Sequence, residues 1–144
     1  ASQGLKYLTQ LTSLNLDFAF CVNITDEGVK NLVSEGLKHP IHLTSLQLNF
    51  ADCLQTTDEG LNNLVSQGLL YLPQLMSLNL NLSFCSQITD EGVNNLCFRY
   101  LKHFSQLTRL DLSFEGCIMI NIFTINNIIR ILRYFGFLIK KDRN

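Results

Sequence analysis

The spacing of hydrophobic residues changes at regular intervals along the chain. Leu14, Leu16, Phe18 and Phe20 alternate with other positions, and this period of two predicts a strand with one apolar face. The alternation returns at residues 46–50 and again at 78–84. Between these segments apolar residues fall at i, i+3 and i+4, which predicts amphipathic helices. The residues with helical spacing are Val29, Leu32 and Val33, then Leu61, Leu64 and Val65, then Val93, Leu96 and Cys97.

This pattern repeats at a fixed step of 32 residues. Leu-x-x-Leu-x-Leu hexamers begin at positions 11, 43, 75 and 107, and a cysteine follows each of them at 21, 53, 85 and 117. The sequence Thr-Asp-Glu-Gly recurs at 25–28, 57–60 and 89–92, and Ser2-Gln-Gly-Leu5 has counterparts at 34–37 and 66–69. We therefore predict a single repeat domain over residues 1–144. It comprises the end of a partial repeat at 1–10, full repeats at 11–42, 43–74 and 75–106, and a divergent C-terminal capping repeat at 107–144.

Each repeat is predicted to form one strand, one turn and one helix, with successive strands parallel. A Thr or Asp of the Thr-Asp-Glu-Gly segment can cap the free N–H groups of the helix, and the acidic pair suits the positive end of the helix dipole. Parallel strands stack about 4.8 Å apart, whereas helices need about 10 Å. The strand side of the stack must therefore curve inward.

The hexamers resemble those of the leucine-rich-repeat family over nearly the whole chain. Residues 25–40 are similar to the ribonuclease-inhibitor subfamily, and the order Cys21-x-x-Ile-Thr-Asp26 is similar to the cysteine-containing subfamily. The resemblance implies an α/β solenoid, a curved horseshoe with a parallel β-sheet on the concave side and α-helices on the convex side. It also implies protein binding. The repeat is longer than the about 28 to 29 residues of the ribonuclease-inhibitor type, and we interpret the difference as a strand lengthened by two residues, which leaves Phe18 and Phe20 on the face of Leu16.

Composition narrows the class of protein further. Hydrophobic residues make up 47% of the chain, which argues against disorder, and the net charge of −1 argues against a general binder of nucleic acid. The longest apolar stretch, at 118–139, contains Asn and Arg residues that a membrane span would have to bury at high cost. We therefore expect no nucleic-acid partner and no membrane segment.

No pattern of residues indicates catalysis, a cofactor or a metal. Cysteines stacked one per repeat do not converge as zinc ligands do, and we interpret them as small buried side chains. We interpret the Asp-Glu pairs as helix caps rather than calcium ligands, and the three histidines as surface residues. Five cysteines without short spacings are a poor disulfide framework, which favours a reducing, cytoplasmic location. An extracellular location stays open.

The outward positions of the predicted strands are the expected binding surface. They are mostly small, polar and uncharged, and the residues we select as protein-binding candidates are Asp17, Asn49, Asn81, Arg109 and Asp111. The leading hypothesis is a non-enzymatic scaffold that binds a protein partner through the concave face and adjoining loops. One alternative is a structural spacer or assembly component that uses its ends. Another is a ribonuclease-inhibitor-like inhibitor of an enzyme.

The two ends of the chain differ from the middle. In the last repeat Thr124 is expected to cap the helix and Gly136 to end it, with residues 137–139 folding over the exposed core and residues 140–144 in solvent. At the other end, either preceding repeats of a longer protein or another molecule is expected to cover Leu14. Residues 1–98 hold three Lys and nine Asp or Glu, whereas residues 99–144 hold eight Lys or Arg and three acids. This asymmetry indicates possible head-to-tail self-association.

Overall fold

Four short strands alternate with four α-helices in the part of the chain that the structure describes. The computed structural model describes residue 4, residues 7–40 and residues 42–136. Residues 137–139 and 140–144, for which a cap and a solvated tail are predicted, lie outside the described residues, as does most of the first Ser-Gln-Gly-Leu segment. The elements are β1 (Ser13–Asp17), α1 (Asp26–Leu32), β2 (Ser45–Asn49), α2 (Asp58–Gln67), β3 (Ser77–Asn81), α3 (Asp90–Asn94), β4 (Arg109–Ser113) and α4 (Ile122–Tyr134). Wider π-helical turns extend α1 over Val33–Leu37 and α3 over Asn95–Tyr100.

The strands form one parallel sheet in the order β1-β2-β3-β4. Leu14 pairs with Leu46, which pairs with Leu78, which pairs with Leu110, so neighbours in the ladder are 32 residues apart in sequence. Leucines at these positions, and two residues further along each strand, point toward the helices. Fully burying one such side chain contributes about 1.5–3 kcal/mol. The predicted α/β solenoid with a parallel sheet is confirmed.

The helices close the core from the other side. The predicted i, i+3, i+4 positions of α1, α2 and α3 are all buried, including Cys97, which occupies the place held by Val33 and Val65 in the preceding repeats. The core is therefore a continuous layer between the sheet and the helices, and each repeat completes the apolar surface of its neighbours.

The prediction of a lengthened strand is wrong at its second residue. Phe18 does face inward and stacks on Phe50, with ring centroids 5.3 Å apart. Strand β1 nevertheless ends at Asp17, because the Asp17 side chain accepts a hydrogen bond from the N–H of Ala19 (2.9 Å) and turns the backbone. Phe20 then adopts a left-handed conformation with φ of 61° and is 74% exposed. Phe84, also predicted to face the core, has φ of 60° and is 48% exposed.

Aspartates link each helix to the next repeat. Asp58 accepts hydrogen bonds from the N–H of Thr89 (2.8 Å) and from its hydroxyl (2.6 Å), and Asp26 accepts the same pair from Thr57 (2.8 and 2.7 Å). Asp90 likewise accepts from the N–H of Asn121 (2.9 Å) and from its side-chain amide. We call these three contacts the carboxylate clasps. The hydrogen bond from the Asn121 backbone is the main reason that the pKa of Asp90 is lowered.

The clasps revise the interpretation of the Thr-Asp-Glu-Gly segment. Its threonine caps its own helix, as predicted: the Thr57 hydroxyl accepts from the N–H of Glu59 at 3.1 Å. Its aspartate serves the following repeat instead. Its glycine makes room for the aspartate of the preceding repeat. A Cβ on Gly60 would collide with the Asp26 carboxylate, and a Cβ on Gly92 would collide with the Asp58 carboxylate.

The last repeat receives a clasp with different residues. Asn121, and not the predicted Thr124, is the N-cap of α4, and its side-chain oxygen accepts from the N–H of Thr124 at 2.9 Å. Thr124 stands where Gly60 and Gly92 stand and is buried, and its side chain also helps to lower the pKa of Asp90. Gly136 follows α4 with φ of 76°, as expected for a residue that ends a helix.

The glycine at each clasp gives a direct stability test. We expect Gly92→Ala to lower the free energy of unfolding by about 1–3 kcal/mol, because the added methyl group displaces the Asp58 carboxylate. Gly28→Ala is the matched control, since nothing lies closer than 3.9 Å to its added Cβ. We expect Gly28→Ala to leave the protein as stable or to stabilise it by up to about 1 kcal/mol, because alanine is the better helix former. Urea unfolding of both variants measures the difference, and equal effects at the two sites would refute the clasp.

Candidate protein-binding faces

One side of the sheet carries no other layer in the described residues. We define the open sheet face as the side chains of Ser13, Asn15 and Asp17 together with their register partners in β2, β3 and β4. Its central column contains Asn15, Gln47 and Asn79, which are exposed and whose side-chain amides form no hydrogen bond within the described part of the chain. These three amides therefore remain available to a ligand.

Three of the predicted binding residues lie at one edge of this face and have internal partners. Asp17 accepts from the side-chain amide of Asn49 at 3.0 Å. The Asn49 oxygen accepts from the N–H of Ala51 at 3.2 Å, and the Asn81 oxygen accepts from the N–H of Ser83 at 3.0 Å. These three side chains thus end the strands and shape the turns that follow, so only part of their hydrogen-bonding capacity is available to a partner.

The remaining two predicted residues lie together on β4. Arg109 Nε is 3.1 Å from Asp111 Oδ2, and the Arg109 side chain is largely exposed. The Asp111 side chain is only 14% exposed, so Arg109 is the member of the pair that a partner can reach.

A second exposed surface is formed by the loops after the strands, which the sequence predicts as adjoining binding loops but without the apolar side chains that they expose. We define the loop edge as the loops at residues 18–25, 50–57, 82–89 and 114–121. Its exposed apolar side chains are Phe20, Val22, Leu54, Phe84, Ile118 and Met119. The sequence does contain an indication of these turns. Asp52 and Gly116 occupy the positions equivalent to Phe20 and Phe84, and Asp and Gly are common in left-handed turns.

The cysteine column forms a line of buried hydrogen bonds. The thiols of Cys53, Cys85 and Cys117 donate to the carbonyl oxygens of Phe18, Phe50 and Leu82, at 3.2, 3.1 and 3.0 Å. Burial raises the pKa of Cys53 to about 11 and that of Cys85 to about 12. The structural interpretation is confirmed for these buried cysteines, whereas Cys21 is exposed because no described repeat stacks on it.

In the described ranges there is no cluster of three or more His, Cys, Asp or Glu that could bind a metal ion. No helix among the same residues is long and apolar enough to cross a bilayer. His39 and His103 are exposed, as predicted, and His42 is half-buried.

Comparison with known proteins agrees with this architecture. Residues 9–33 and 74–97 match a family model described as Leucine Rich repeat. Two segments of the chain therefore match leucine-rich repeats in sequence, and the ladder of parallel strands with outer helices gives all four repeats the same architecture. The subfamily stays a prediction.

Two solved structures have a similar fold. One is described as leiomodin-1 actin-binding site 2, with a TM-score of 0.65 and 19% identity over 99% of this chain and 78% of the other. The second is a complex of Rad7 and Elc1 in yeast, with a TM-score of 0.52 and 22% identity; the match covers 91% of this chain but 28% of the other. At these identities the likeness concerns the fold. No curated protein sequence matches the chain.

Thiol chemistry tests the buried cysteine line. At pH 8 we expect iodoacetamide to modify Cys21 in the folded protein and to leave Cys53, Cys85, Cys97 and Cys117 unmodified. Burial both blocks access and raises the pKa of these four thiols, so little thiolate is present. Mass spectrometry of the folded and urea-unfolded protein counts the adducts. Cys21→Ser should abolish labelling of the folded state, and fast labelling of Cys85 would contradict the structure.

Proposed function

We propose that the chain is a non-catalytic scaffold that binds a protein partner through the open sheet face and the adjoining loops. The main support for this proposal is the column of Asn15, Gln47 and Asn79, whose side chains offer unpaired amide groups on three adjacent strands. Neighbouring strands are about 4.8 Å apart, so the column forms a row about 10 Å long. A row of amides fixed on a sheet can bind a complementary polar surface with little loss of backbone entropy.

Two further observations support a binding role rather than catalysis. The titratable groups whose pKa is shifted, Asp90 and four cysteines, are explained by the clasp or by burial, so none is poised at an open cleft. The two similar structures are also described as an actin-binding site and a protein complex. The partner of this chain need not be either of those proteins.

We also propose a reducing compartment such as the cytoplasm. The thiols of Cys53, Cys85 and Cys117 each donate a hydrogen bond across a repeat boundary, and oxidation would remove these donors. This arrangement suits an environment that keeps thiols reduced.

Substitution of the amide column tests the proposed face. A partner is captured from the native source on the immobilised chain, identified and purified, and its affinity is measured by biolayer interferometry. We expect Gln47→Arg combined with Asn79→Arg to weaken binding at least about tenfold, because two bulky charges then project from the face. Asn126→Arg on the exposed side of α4 is the matched control and should leave affinity within about twofold. Unchanged affinity of the double variant would exclude this face.

Assembly through the ends is one of the two alternative functions that the sequence predicts, and the residue at position 122 bears on it. Position 122, where the preceding repeats carry Asp26, Asp58 and Asp90, is Ile122. The last repeat therefore offers no carboxylate to Thr25 of a second copy. The opposite net charges of the two ends nevertheless favour association.

End-to-end association predicts a particular salt dependence. If the opposite charges drive it, the apparent mass should exceed 16.4 kDa at low ionic strength and fall toward the monomer as salt is added. Multi-angle light scattering at about 20 and 500 mM salt measures this change. A monomer under both conditions would exclude the assembly role.

A further inference from the structure

Two exposed phenylalanines occupy strained positions on the loop edge. Phe20 and Phe84 have φ near +60°, a conformation that costs an L-residue with a large side chain about 1–2 kcal/mol. Equivalent positions in the other two repeats hold Asp52 and Gly116, which adopt this conformation more readily. Neither ring is buried enough for core packing to offset the strain, since their exposed fractions are 74% and 48%. Strain of this kind is typical of functional positions.

The loops hold these rings at a fixed spacing. The N–H of Phe20 donates to the carbonyl of Ala51 (2.8 Å), that of Asp52 to Ser83 (2.9 Å), and that of Phe84 to Glu115 (2.6 Å). The loops therefore continue the ladder of the sheet, at about 4.8 Å per repeat, which places Phe20 and Phe84 about 10 Å apart. Two turns of an α-helix span about 10.8 Å. Side chains at i, i+3 or i+4, and i+7 of a helix that lies along the loops thus match successive repeats.

The surroundings of the rings form an apolar strip. The Phe84 ring lies over Gly116, where any side chain would collide with it. Two residues after the position of Phe20 and Phe84 in the repeat, three of the four repeats expose another apolar side chain: Val22, Leu54 and Ile118. The N–H groups of Phe20, Asp52 and Phe84 already bond to the next loop, so a strand cannot add along this strip by backbone pairing. A helix can bind there, because its backbone hydrogen bonds are internal.

Charge along this edge has a single sign. The segments 17–29, 49–61, 81–93 and 113–125, each one repeat apart, contain three, three, two and one Asp or Glu residues and no Lys, Arg or His. Lys38 and Lys102 lie instead in the segments that lead from the helices back to the strands. The loop edge therefore contains no Lys, Arg or His of its own. An apolar strip with acidic surroundings is complementary to an apolar surface with basic surroundings.

We propose that the loop edge binds a basic amphipathic helix of a partner protein, with Phe20 and Phe84 as the two apolar anchors. The inference rests on the proposed scaffold function and specifies the partner's binding element. Leucine-like side chains of the helix pack between the rings and over Leu54, and Lys or Arg side chains on its flanks face Asp52 and Glu115.

Two synthetic peptides provide the test. One is an 18-residue helix with Leu at i, i+3, i+4 and i+7 and Lys at the remaining positions, and the other has Glu in place of each Lys. Fluorescence anisotropy measures their binding to the whole chain at about 50 and 300 mM salt. We expect binding of the Lys peptide that weakens with salt, and at least tenfold weaker binding of the Glu peptide. Absent binding of the Lys peptide, or equal binding of the two peptides, would overturn the proposal.

Variants of the anchors locate the contact. Phe20→Asn combined with Phe84→Asn should weaken binding of the Lys peptide at least tenfold and leave the fold intact, because Asn tolerates the left-handed conformation. Urea unfolding should show this variant to be no less stable than the parent chain. Phe98→Gln is the matched control, since Phe98 is 59% exposed on the π-helical turn after α3, away from the loops. Equal losses from the two changes would show non-specific apolar binding and overturn the proposal.

The natural partner separates this inference from the proposed function. If the Gln47→Arg and Asn79→Arg variant loses the partner and the phenylalanine variant does not, the scaffold function stands and the loop-edge site is wrong. If neither variant changes the affinity, both are wrong. Loss of binding in the phenylalanine variant, with a basic helix of the partner protected from hydrogen exchange in the complex, would support the site.

Discussion

The contact between each aspartate and the N-cap residue of the next repeat is the constraint on which the helical layer depends. The strands are held to one another by backbone hydrogen bonds, but helices in a solenoid have no equivalent ladder. The clasp from Asp58 to Thr89 supplies one: it joins two charge-assisted hydrogen bonds to an N-cap that in turn orders the first turn of α3. Gly92 is required because the carboxylate occupies the space of its side chain. Cap, clasp and glycine therefore form one unit that recurs with the repeat.

A second line of hydrogen bonds runs across the repeats in parallel with the clasps. The buried thiols of Cys53, Cys85 and Cys117 each bond to the preceding repeat, under the loops, whereas the clasps lie at the helix starts. Asp17 and Asn49 add one hydrogen bond between the ends of β1 and β2. In a solenoid, stability depends on such nearest-neighbour contacts, so these contacts make adjacent repeats unfold together rather than singly. That cooperativity keeps the open sheet face in one shape.

Sequence alone predicts the layers of this fold but not its turns. The leucine alternation and the i, i+3, i+4 stripes identify strands and helices because burial acts on every repeat in the same way. The inward placement of Phe20 was wrong because the parity argument assumes extended backbone, whereas the Asp17 side chain ends the strand. The role of Asp26 also escaped prediction, since it depends on the distance to the next repeat. The side chains of Asn49 and Asn81, two of the predicted binding residues, also hold the turns after their strands, and the sequence does not indicate which outward amides this leaves unpaired.

The clasps have a direction, and this has a consequence for how repeats can be exchanged. Each internal repeat both gives a carboxylate to the next repeat and receives one at its N-cap, so internal repeats are interchangeable units. The repeat that contains α4 receives at Asn121 but has Ile122 where its own carboxylate would be. A further unit inserted between two internal repeats would keep the clasps, whereas one placed after α4 would find no carboxylate for its N-cap. The series of clasps can therefore be lengthened from within but not past α4.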